Sequence, residues 1–230
     1  MRFFIDTGSV AEVEEIAAWG ILSGATTNPS LLAKEDGDPG DIIRRICDLV
    51  QGPVSAEVVS DDAASMLEEG RALDKLHEHT IVKVPFSSEG LRATRAFADE
   101  GIAVNMTLVF SANQALLSAQ AGAAYVSCFM GRLDDISIDS ESVVGEIVDA
   151  LGPHRDAQVL AASIRHPMHA VIASKLGCEV ATIPGKVLKA MLAHPLTESG
   201  IARFADDWKS RPEFGDWLKG LVEQSTAATR

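Results

Sequence analysis

Lys83 is the residue of this sequence with the clearest chemical potential. It lies in the middle of segment 80–85, a run of β-branched and apolar residues that ends in proline and predicts a short buried strand. Burying an ammonium group is costly unless it is paired or neutralised, and a lysine that loses its proton becomes a nucleophile. A neutral amine is what Schiff-base formation with a ketone requires. The alternative is a structural lysine whose stem is buried while its ammonium reaches water.

Polar residues recur near the C-terminal ends of the other predicted strands. Side chains alternate along a strand, so Glu57 shares a face with Ser55, and Asn105 shares one with Thr107. Barrel enzymes build active sites from several strand ends, whereas an interior filled only for packing would favour Val, Ile and Leu there. The other predicted site residues at such positions are Asp6, Asn28, Ser127, Phe129 and Ser163.

Each of these residues also has a structural alternative. Asp6 and Asn28 could cap the helices that follow them, and Thr107, Ser127 and Ser163 could hydrogen-bond to nearby backbone. Glu57 is harder to explain in this way, because an unpaired glutamate inside a strand is rarely buried. Repetition over several strands is therefore the strongest argument for a site.

Two arginines, Arg132 and Arg165, follow predicted strands and could bind an anion. With Ser163 they suit a phosphate, because planar guanidinium groups match the geometry of phosphate oxygens. The alternative for each arginine is a salt bridge at the surface.

His166 and His169 are spaced as two ligands on one helical turn could be. A metal site needs further ligands, and none is evident nearby in the sequence. We therefore predict that the protein binds no metal ion. Schiff-base chemistry on Lys83 would also need no cofactor, because the lysine itself supplies the electron sink.

Composition and charge exclude several classes of function. The chain has 230 residues and a net charge of −13, which argues against nucleic acid or an anionic membrane surface as a partner. The apolar runs are too short to span a membrane, and Asp6 interrupts the region where a signal peptide would be apolar. The three cysteines are far apart and odd in number, which suits a reducing cytoplasm rather than a disulfide framework.

The elements that would position these residues alternate between strand and helix. Eight strands, each followed by a helix, predict an α/β fold of the (β/α)8 TIM-barrel type. The alternative, an open doubly wound sheet, lacks its usual glycine-rich fingerprint. Capping boxes are predicted at Ser9 with Glu12 and at Ser111 with Gln114, and Asn28 before Pro29 predicts another helix start. The predicted strands cover residues 2–6, 24–27, 54–59, 80–85, 102–109, 124–129, 158–163 and 179–183.

The C-terminal residues predict helices added to the barrel. Apolar side chains recur at helical spacing from Ile201 to Trp208, and a second stripe begins at Phe214 after the break at Arg211-Pro212. We expect residues 1–195 to form the barrel and residues 196–230 to form a helical extension of the same domain.

The ordered set of motifs resembles the transaldolase family, in the small-subunit branch that includes fructose-6-phosphate aldolases. The resemblance runs from the first strand to about residue 208. The matching motifs are Phe4-Ile5-Asp6-Thr7, Thr26-Thr27-Asn28-Pro29-Ser30, Ser55-Ala56-Glu57-Val58, Val82-Lys83-Val84-Pro85, Asn105-Met106-Thr107-Leu108-Val109-Phe110-Ser111, Gly131-Arg132-Leu133-Asp134-Asp135, Ala162-Ser163-Ile164-Arg165-His166-Pro167 and His194-Pro195-Leu196-Thr197.

This resemblance implies a role for each site residue. Lys83 corresponds to the Schiff-base lysine and Asp6 to the acid/base aspartate, while Glu57 and Thr107 handle protons through a water. Asn28, Asn105 and Ser127 correspond to residues that hold the dihydroxyacetone hydroxyls. The residues that correspond to the phosphate site are Arg132, Ser163 and Arg165. The departures are minor, with Cys128 in place of a proline and Met130 in place of a valine.

The implied activity is transfer of a dihydroxyacetone unit between sugar phosphates in the pentose phosphate pathway, by a cytoplasmic homo-oligomer built as a pentamer or decamer. Aldolase members of the branch carry Gln and Tyr where transaldolases carry Glu and Phe, and this chain has Glu57 and Phe129. The alternatives are an aldolase that releases dihydroxyacetone, a catalytically silent sugar-phosphate-binding protein, and a metal-dependent hydrolase that uses His166 and His169.

Overall fold

Eight parallel strands close into a barrel in which each strand pairs with its neighbours in the sequence, and β8 pairs with β1. The computed structural model describes residues 1–153 and 156–228. The closed sheet confirms the predicted (β/α)8 fold and excludes the open doubly wound alternative. The strands are β1 Arg2–Asp6, β2 Leu22–Thr26, β3 Val54–Glu57, β4 Thr80–Pro85, β5 Val104–Val109, β6 Tyr125–Phe129, β7 Gln158–Ala162 and β8 Val180–Ile183.

Helices follow every strand, and several of them begin where the sequence predicts. Asn28 accepts a hydrogen bond from Leu31 N–H at 3.0 Å, and Ser111 caps the helix after β5. The predicted cap at Ser9 is wrong, because its side chain makes no capping bond. The helices are α1 Val10–Ala17, α2 Pro29–Leu32, α3 Pro39–Val50, α4 Ala63–Asp74, α5 Ser88–Asp99, α6 Ala112–Gln120, α7 Met130–Asp134, α8 Ser140–Leu151, α9 Pro167–Leu176, α10 Gly185–Leu192, α11 Pro195–Lys209 and α12 Pro212–Ala228.

The barrel interior is apolar below its C-terminal end. Phe4, Tyr125, Leu160 and Val180 form one buried cluster, against which Ile81 packs. Phe4, Ile81, Tyr125 and Val180 each lie two residues before a polar residue at the C-terminal end of the same strand. Each therefore shares a face of its strand with that polar residue. The apolar layer closes the barrel beneath the polar strand ends.

Two strands end in irregular backbone. The β5–β6 register shifts between Met106 and Val109, and Leu108 has a φ of 61°. Ser163, directly after β7, has a φ of 56°. Non-glycine residues in this left-handed region are uncommon and concentrate at functional sites. A bulge of this kind redirects the side chains at the end of the strand.

The chain divides into two compact units, Met1–Ala190 and Met191–Arg230. In the second unit α11 and α12 contact each other, and the rings of Trp208 and Phe214 lie 5.4 Å apart. The helical stripes and the break near Pro212 are as predicted from the sequence. The predicted assignment of residues 196–230 to the barrel's own domain stays a prediction. None of the helices in the described part of the chain is both long and apolar enough to cross a membrane.

Candidate functional site

A cavity of about 560 Å³ opens at the C-terminal end of the barrel. All of the predicted site residues except Asn105 line it. The alternation of side chains along each strand thus predicted which residues face the cavity. It could not show which side chains contact each other, and those contacts decide the chemistry.

Lys83 is 5% exposed and is paired on two sides. Its Nζ lies 2.9 Å from Glu57 Oε2 and donates a hydrogen bond to the backbone carbonyl of Thr27 at 3.0 Å. The pairing follows from the sheet, because Glu57 and Lys83 are register partners in β3 and β4. The pair compensates for the burial of both charges. It also supplies a carboxylate that can accept a proton from the amine.

Asp6 lies at the end of β1 and accepts a hydrogen bond from the Thr26 hydroxyl at 2.8 Å. Thr26 Oγ1 in turn lies 2.6 Å from Thr182 Oγ1. Burial raises the pKa of Asp6, while Lys83 and the Thr26 hydroxyl act in the opposite direction and Glu57 and Glu12 add to the increase. A carboxyl group with a raised pKa is suited to taking up and returning a proton near neutral pH.

Asn105 is fully buried and supports its neighbours rather than the cavity wall. Its amide donates to Ser55 Oγ at 3.0 Å, and its carbonyl oxygen accepts from Ser127 Oγ at 2.7 Å. The network fixes the position of Ser127, which lines the cavity. A substrate hydroxyl in the cavity would therefore meet Ser127 directly and Asn105 through it.

Thr107 is 1% exposed, and within the described residues its hydroxyl has no hydrogen-bond partner. A buried hydroxyl without a partner is costly and uncommon. Thr107 also lines the cavity, so a hydrogen-bonding group in the cavity could satisfy this hydroxyl.

The arginines form the more open part of the cavity wall. The Arg132 guanidinium lies 5.2 Å from the centre of the Phe129 ring and has no carboxylate partner in the described part of the chain. Phe129 packs edge-on against Phe110. Arg165 lies 2.7 Å from Asp135 Oδ2, and both of these side chains are more than half exposed. Ser163 lines the cavity between β7 and Arg165.

The rings of His166 and His169 are in contact, with their centres 3.9 Å apart and their planes inclined by 48°. Both nitrogens of His169 are already engaged, Nδ1 by Arg165 N–H at 3.2 Å and Nε2 by Asp134 at 2.8 Å. Among the residues that the structure describes, no group of three or more His, Cys, Asp or Glu side chains could hold a metal ion.

Sequence reasoning did not assign several of the residues that line the cavity to the site, among them Thr182 and Lys34. Thr182 follows Val180 on the inward face of β8, so the parity that identified the other strand ends could have identified it. Lys34 lies just beyond the short helix α2. Asn28 caps this helix and also lines the cavity. No periodic pattern in the sequence points to Lys34.

A family model described as Transaldolase/Fructose-6-phosphate aldolase matches residues 3–214. The chain belongs to this family. The match covers the whole barrel and ends near the start of α12, so most of that helix lies beyond it. Family membership supports an enzyme of the transaldolase or aldolase type.

Several relatives are similar to this chain along almost their whole length. A probable transaldolase of Brevibacillus brevis is 51% identical over 211 residues, which are 91% of this chain and 99% of the relative. One from Thermoanaerobacter sp. is 49% identical over 210 residues, or 91% of this chain and 97% of the relative. One from Methanococcus maripaludis is 47% identical over 211 residues, or 91% and 98%.

A more distant likeness concerns the fold alone. The structure of thiamine phosphate pyrophosphorylase from Pyrococcus furiosus aligns with a TM-score of 0.57 and 14% identity, over 80% of this chain and 85% of that one. The barrel is thus shared with an enzyme of another name, and the function must be argued from the site.

Proposed function

We propose that this protein is a transaldolase that works through a Schiff base on Lys83. It transfers a dihydroxyacetone unit from fructose 6-phosphate or sedoheptulose 7-phosphate to erythrose 4-phosphate or glyceraldehyde 3-phosphate, as in the pentose phosphate pathway. The observation that carries the proposal is the Lys83–Glu57 contact of 2.9 Å beside Asp6, inside a cavity that also contains two arginines.

The first step is addition of the Lys83 amine to the ketose carbonyl. The amine must first lose a proton, and Glu57 is in position to accept it. The carbinolamine then loses its hydroxyl group as water and becomes an iminium. Glu57 can return the proton to that departing hydroxyl, and the Thr107 hydroxyl is free to hold the water.

The second step breaks the C3–C4 bond. Asp6 takes the proton from the C4 hydroxyl, the electron pair of the bond moves into the iminium, and an aldose phosphate leaves. The Lys83 enamine that remains holds three carbons. The raised pKa of Asp6 lets the carboxyl hold this proton until a second aldehyde arrives and the steps reverse.

Substrate binding divides between two sets of side chains. Asn28 and Ser127 line the part of the cavity that would hold the three-carbon unit, with Asn105 fixing Ser127. Arg132, Ser163 and Arg165 would hold the phosphate, since an anion in a protein of charge −13 needs local guanidinium groups. No step in this scheme requires a metal ion or a cofactor.

The competing function is an aldolase that releases dihydroxyacetone. Release requires the enamine to be protonated at carbon and its iminium to be hydrolysed by a held water. Phe129 has no hydroxyl with which to hold such a water, and it packs against Phe110 and beneath Arg132. We therefore infer that capture by an aldehyde is faster than hydrolysis.

The deciding experiment incubates the enzyme with fructose 6-phosphate, with and without erythrose 4-phosphate. We expect rapid formation of sedoheptulose 7-phosphate with the acceptor and slow formation of dihydroxyacetone without it. Phe129→Tyr should shift the balance toward release, with Phe110→Tyr as the matched control. Rapid release of dihydroxyacetone by the wild type without an acceptor would make the protein an aldolase. Activity lost with a chelator and restored by a divalent metal would favour the hydrolase instead.

A further inference from the structure

His169 links the two segments that carry the arginines of the cavity. The residue is 3% exposed and lies on α9. Its Nδ1 accepts a hydrogen bond from the backbone N–H of Arg165 at 3.2 Å, and its Nε2 lies 2.8 Å from Asp134 Oδ2 on α7. Since Nδ1 accepts, the ring proton must be on Nε2, where it is donated to Asp134.

The same two segments meet at two further points. Gly131 N–H, on α7, donates to the carbonyl of Ser163 at 3.0 Å. The Arg165 guanidinium contacts Asp135, the residue directly after α7. A Cβ on residue 131 would lie 2.3 Å from the Ser163 carbonyl oxygen, so only glycine permits this approach. Arg132 projects from the middle of α7, and Arg165 from the loop after β7.

We propose that His169 is a positioning residue for phosphate binding, and that it acts by holding the Arg165 backbone at a fixed distance from α7. The inference rests on the proposed function and deepens it, since it assigns the two cavity arginines to one anion site whose geometry a third residue sets. Asp134 orients the imidazole in the way that a carboxylate orients a histidine in many enzyme sites.

The charged groups around His169 favour the required protonation state. Asp134, His166 and Arg165 face its ring. Burial is the main cause that lowers the pKa of His169, and His166 and Arg165 lower it further, against the opposing effect of Asp134. The imidazole is therefore neutral at physiological pH. A second proton would occupy Nδ1 and replace the acceptor that Arg165 N–H uses.

Packing alone is the competing explanation for a buried histidine whose ring contacts that of His166. Two substitutions distinguish the explanations, because each keeps only one of the two contacts of His169, either the one with Arg165 N–H or the one with Asp134. His169→Asn places an amide oxygen near the position of Nδ1 and can still accept from Arg165 N–H. His169→Gln reaches toward Asp134 but leaves Arg165 N–H without its acceptor. Both variants lose the ring that contacts His166.

The first measurement is the affinity for inorganic phosphate by titration calorimetry, which involves no chemistry at Lys83. We expect His169→Gln to weaken binding about tenfold, the loss that corresponds to one hydrogen bond. His169→Asn should stay within about threefold of the wild type. Equal affinities in all three proteins, or equal weakening in both variants, would overturn the proposal.

The second measurement compares phosphorylated and unphosphorylated ketoses in each variant. For His169→Gln we expect a higher KM and little change in kcat with fructose 6-phosphate, and an unchanged kcat/KM with fructose. A general loss of packing would lower activity toward both sugars and would count against the proposal. If no ketose reacts with any of the proteins, the proposed function fails, while the phosphate titrations still decide the role of His169.

A measurement on the wild type keeps the proposal testable if a variant does not fold. Long-range proton–nitrogen NMR spectra at neutral pH should show His169 with a proton on Nε2 and none on Nδ1. The Arg165 amide signal should shift when inorganic phosphate is added. A protonated Nδ1, or an Arg165 amide that phosphate does not affect, would contradict the proposed link.

Discussion

The two ends of the cavity differ in how exposed their polar side chains are and in the elements that carry them. At the Lys83 end, the polar groups are on barrel strands, are shielded from water and contact one another through Glu57, Thr26 and Thr182. At the arginine end, the guanidinium groups of Arg132 and Arg165 are exposed and extend from a short helix and a loop. Strands hold a side chain within a narrow range of positions, whereas exposed arginines on a short helix and a loop keep more freedom of movement.

This difference predicts how the effects of substitutions should be graded. Substituting Lys83 or Asp6 at the buried end removes a group that the proposed chemistry uses directly, so the loss of activity should be large. Removing a group at the exposed end is partly compensated by water. Five substitutions test this ordering.

Lys83→Arg should have the largest effect. Arginine keeps the positive charge beside Glu57 but stays protonated, so it cannot form the iminium. We expect a loss in kcat/KM of at least about 10⁴-fold, because the covalent route disappears. Borohydride reduction with fructose 6-phosphate should leave a three-carbon adduct on Lys83 of the wild type and none on the variant. The surface substitution Lys189→Arg is the control, and an adduct at Lys175 or Lys186 would refute the assignment.

Asp6→Asn should lower kcat by about 10²- to 10⁴-fold, the contribution of a general acid–base group. The substitution should also raise the melting temperature at neutral pH. The pKa of Asp6 is raised in the folded state, so folding favours its protonated form, and the stabilising contribution of that form is lost as pH rises through the folded pKa. Amide replacement removes the buried charge.

The wild-type pH–rate profile should accordingly fall on its acid side at a pH above the usual range for an aspartate. Asp99→Asn, in a surface ion pair with Arg95, serves as the control. An Asp6→Asn protein that is as active as the wild type, or that melts at a lower temperature, would show that the buried end is not organised around this carboxyl group.

Arg132→Ala and Arg165→Ala should each lower kcat/KM for sugar phosphates by about 10- to 100-fold, the loss of hydrogen bonds to a charged group. Unphosphorylated fructose should be affected much less. Arg92→Ala, which breaks a surface pair with Glu89, is the control. If fructose and fructose 6-phosphate are turned over equally by the wild type, the arginine end does not bind phosphate.

Asp135→Asn should have the smallest effect. The Arg165–Asp135 pair is exposed on both sides, and such pairs contribute at most about 1 kcal/mol. Releasing Arg165 from this carboxylate should leave the affinity for phosphate unchanged or raise it by less than about fivefold. A large loss of affinity would mean that Asp135 fixes Arg165 in the way that the strands fix Lys83.

The sequence predicted the fold and most of the cavity because both follow from periodicity. The alternation of strand and helix predicted the closed barrel, and parity within each strand placed residues such as Thr107 and Ser127 on the inner face. Six of the eight predicted strands run one or two residues past an observed end, and β2 begins at Leu22, two residues before its predicted start. The proposed roles of the site residues are predictions that the substitutions above test.

Contacts between strands could not be predicted, because they depend on register and on local backbone. The pairing of Glu57 with Lys83 requires the β3–β4 register, and neither residue's own segment contains that information. The left-handed backbone conformation at Ser163 could not be predicted either, because the residue there is not a glycine. The capping box at Ser9 matched the sequence pattern, yet there the Thr7 hydroxyl accepts from Ser9 N–H instead.

The aromatic residues of the two compact units give each unit its own optical signal. The single tyrosine, Tyr125, is 8% exposed inside the barrel, while Trp208 and Trp217, 41% and 60% exposed, belong to the C-terminal helices. Only Trp19, partly buried against the barrel core, adds indole emission from the first unit. Tryptophan emission therefore comes mainly from the C-terminal helices, while a change in the emission of the partly buried Trp19 reports unfolding of the barrel. Tyrosine absorbance will follow the barrel, and whether the two transitions coincide will show whether the units unfold together.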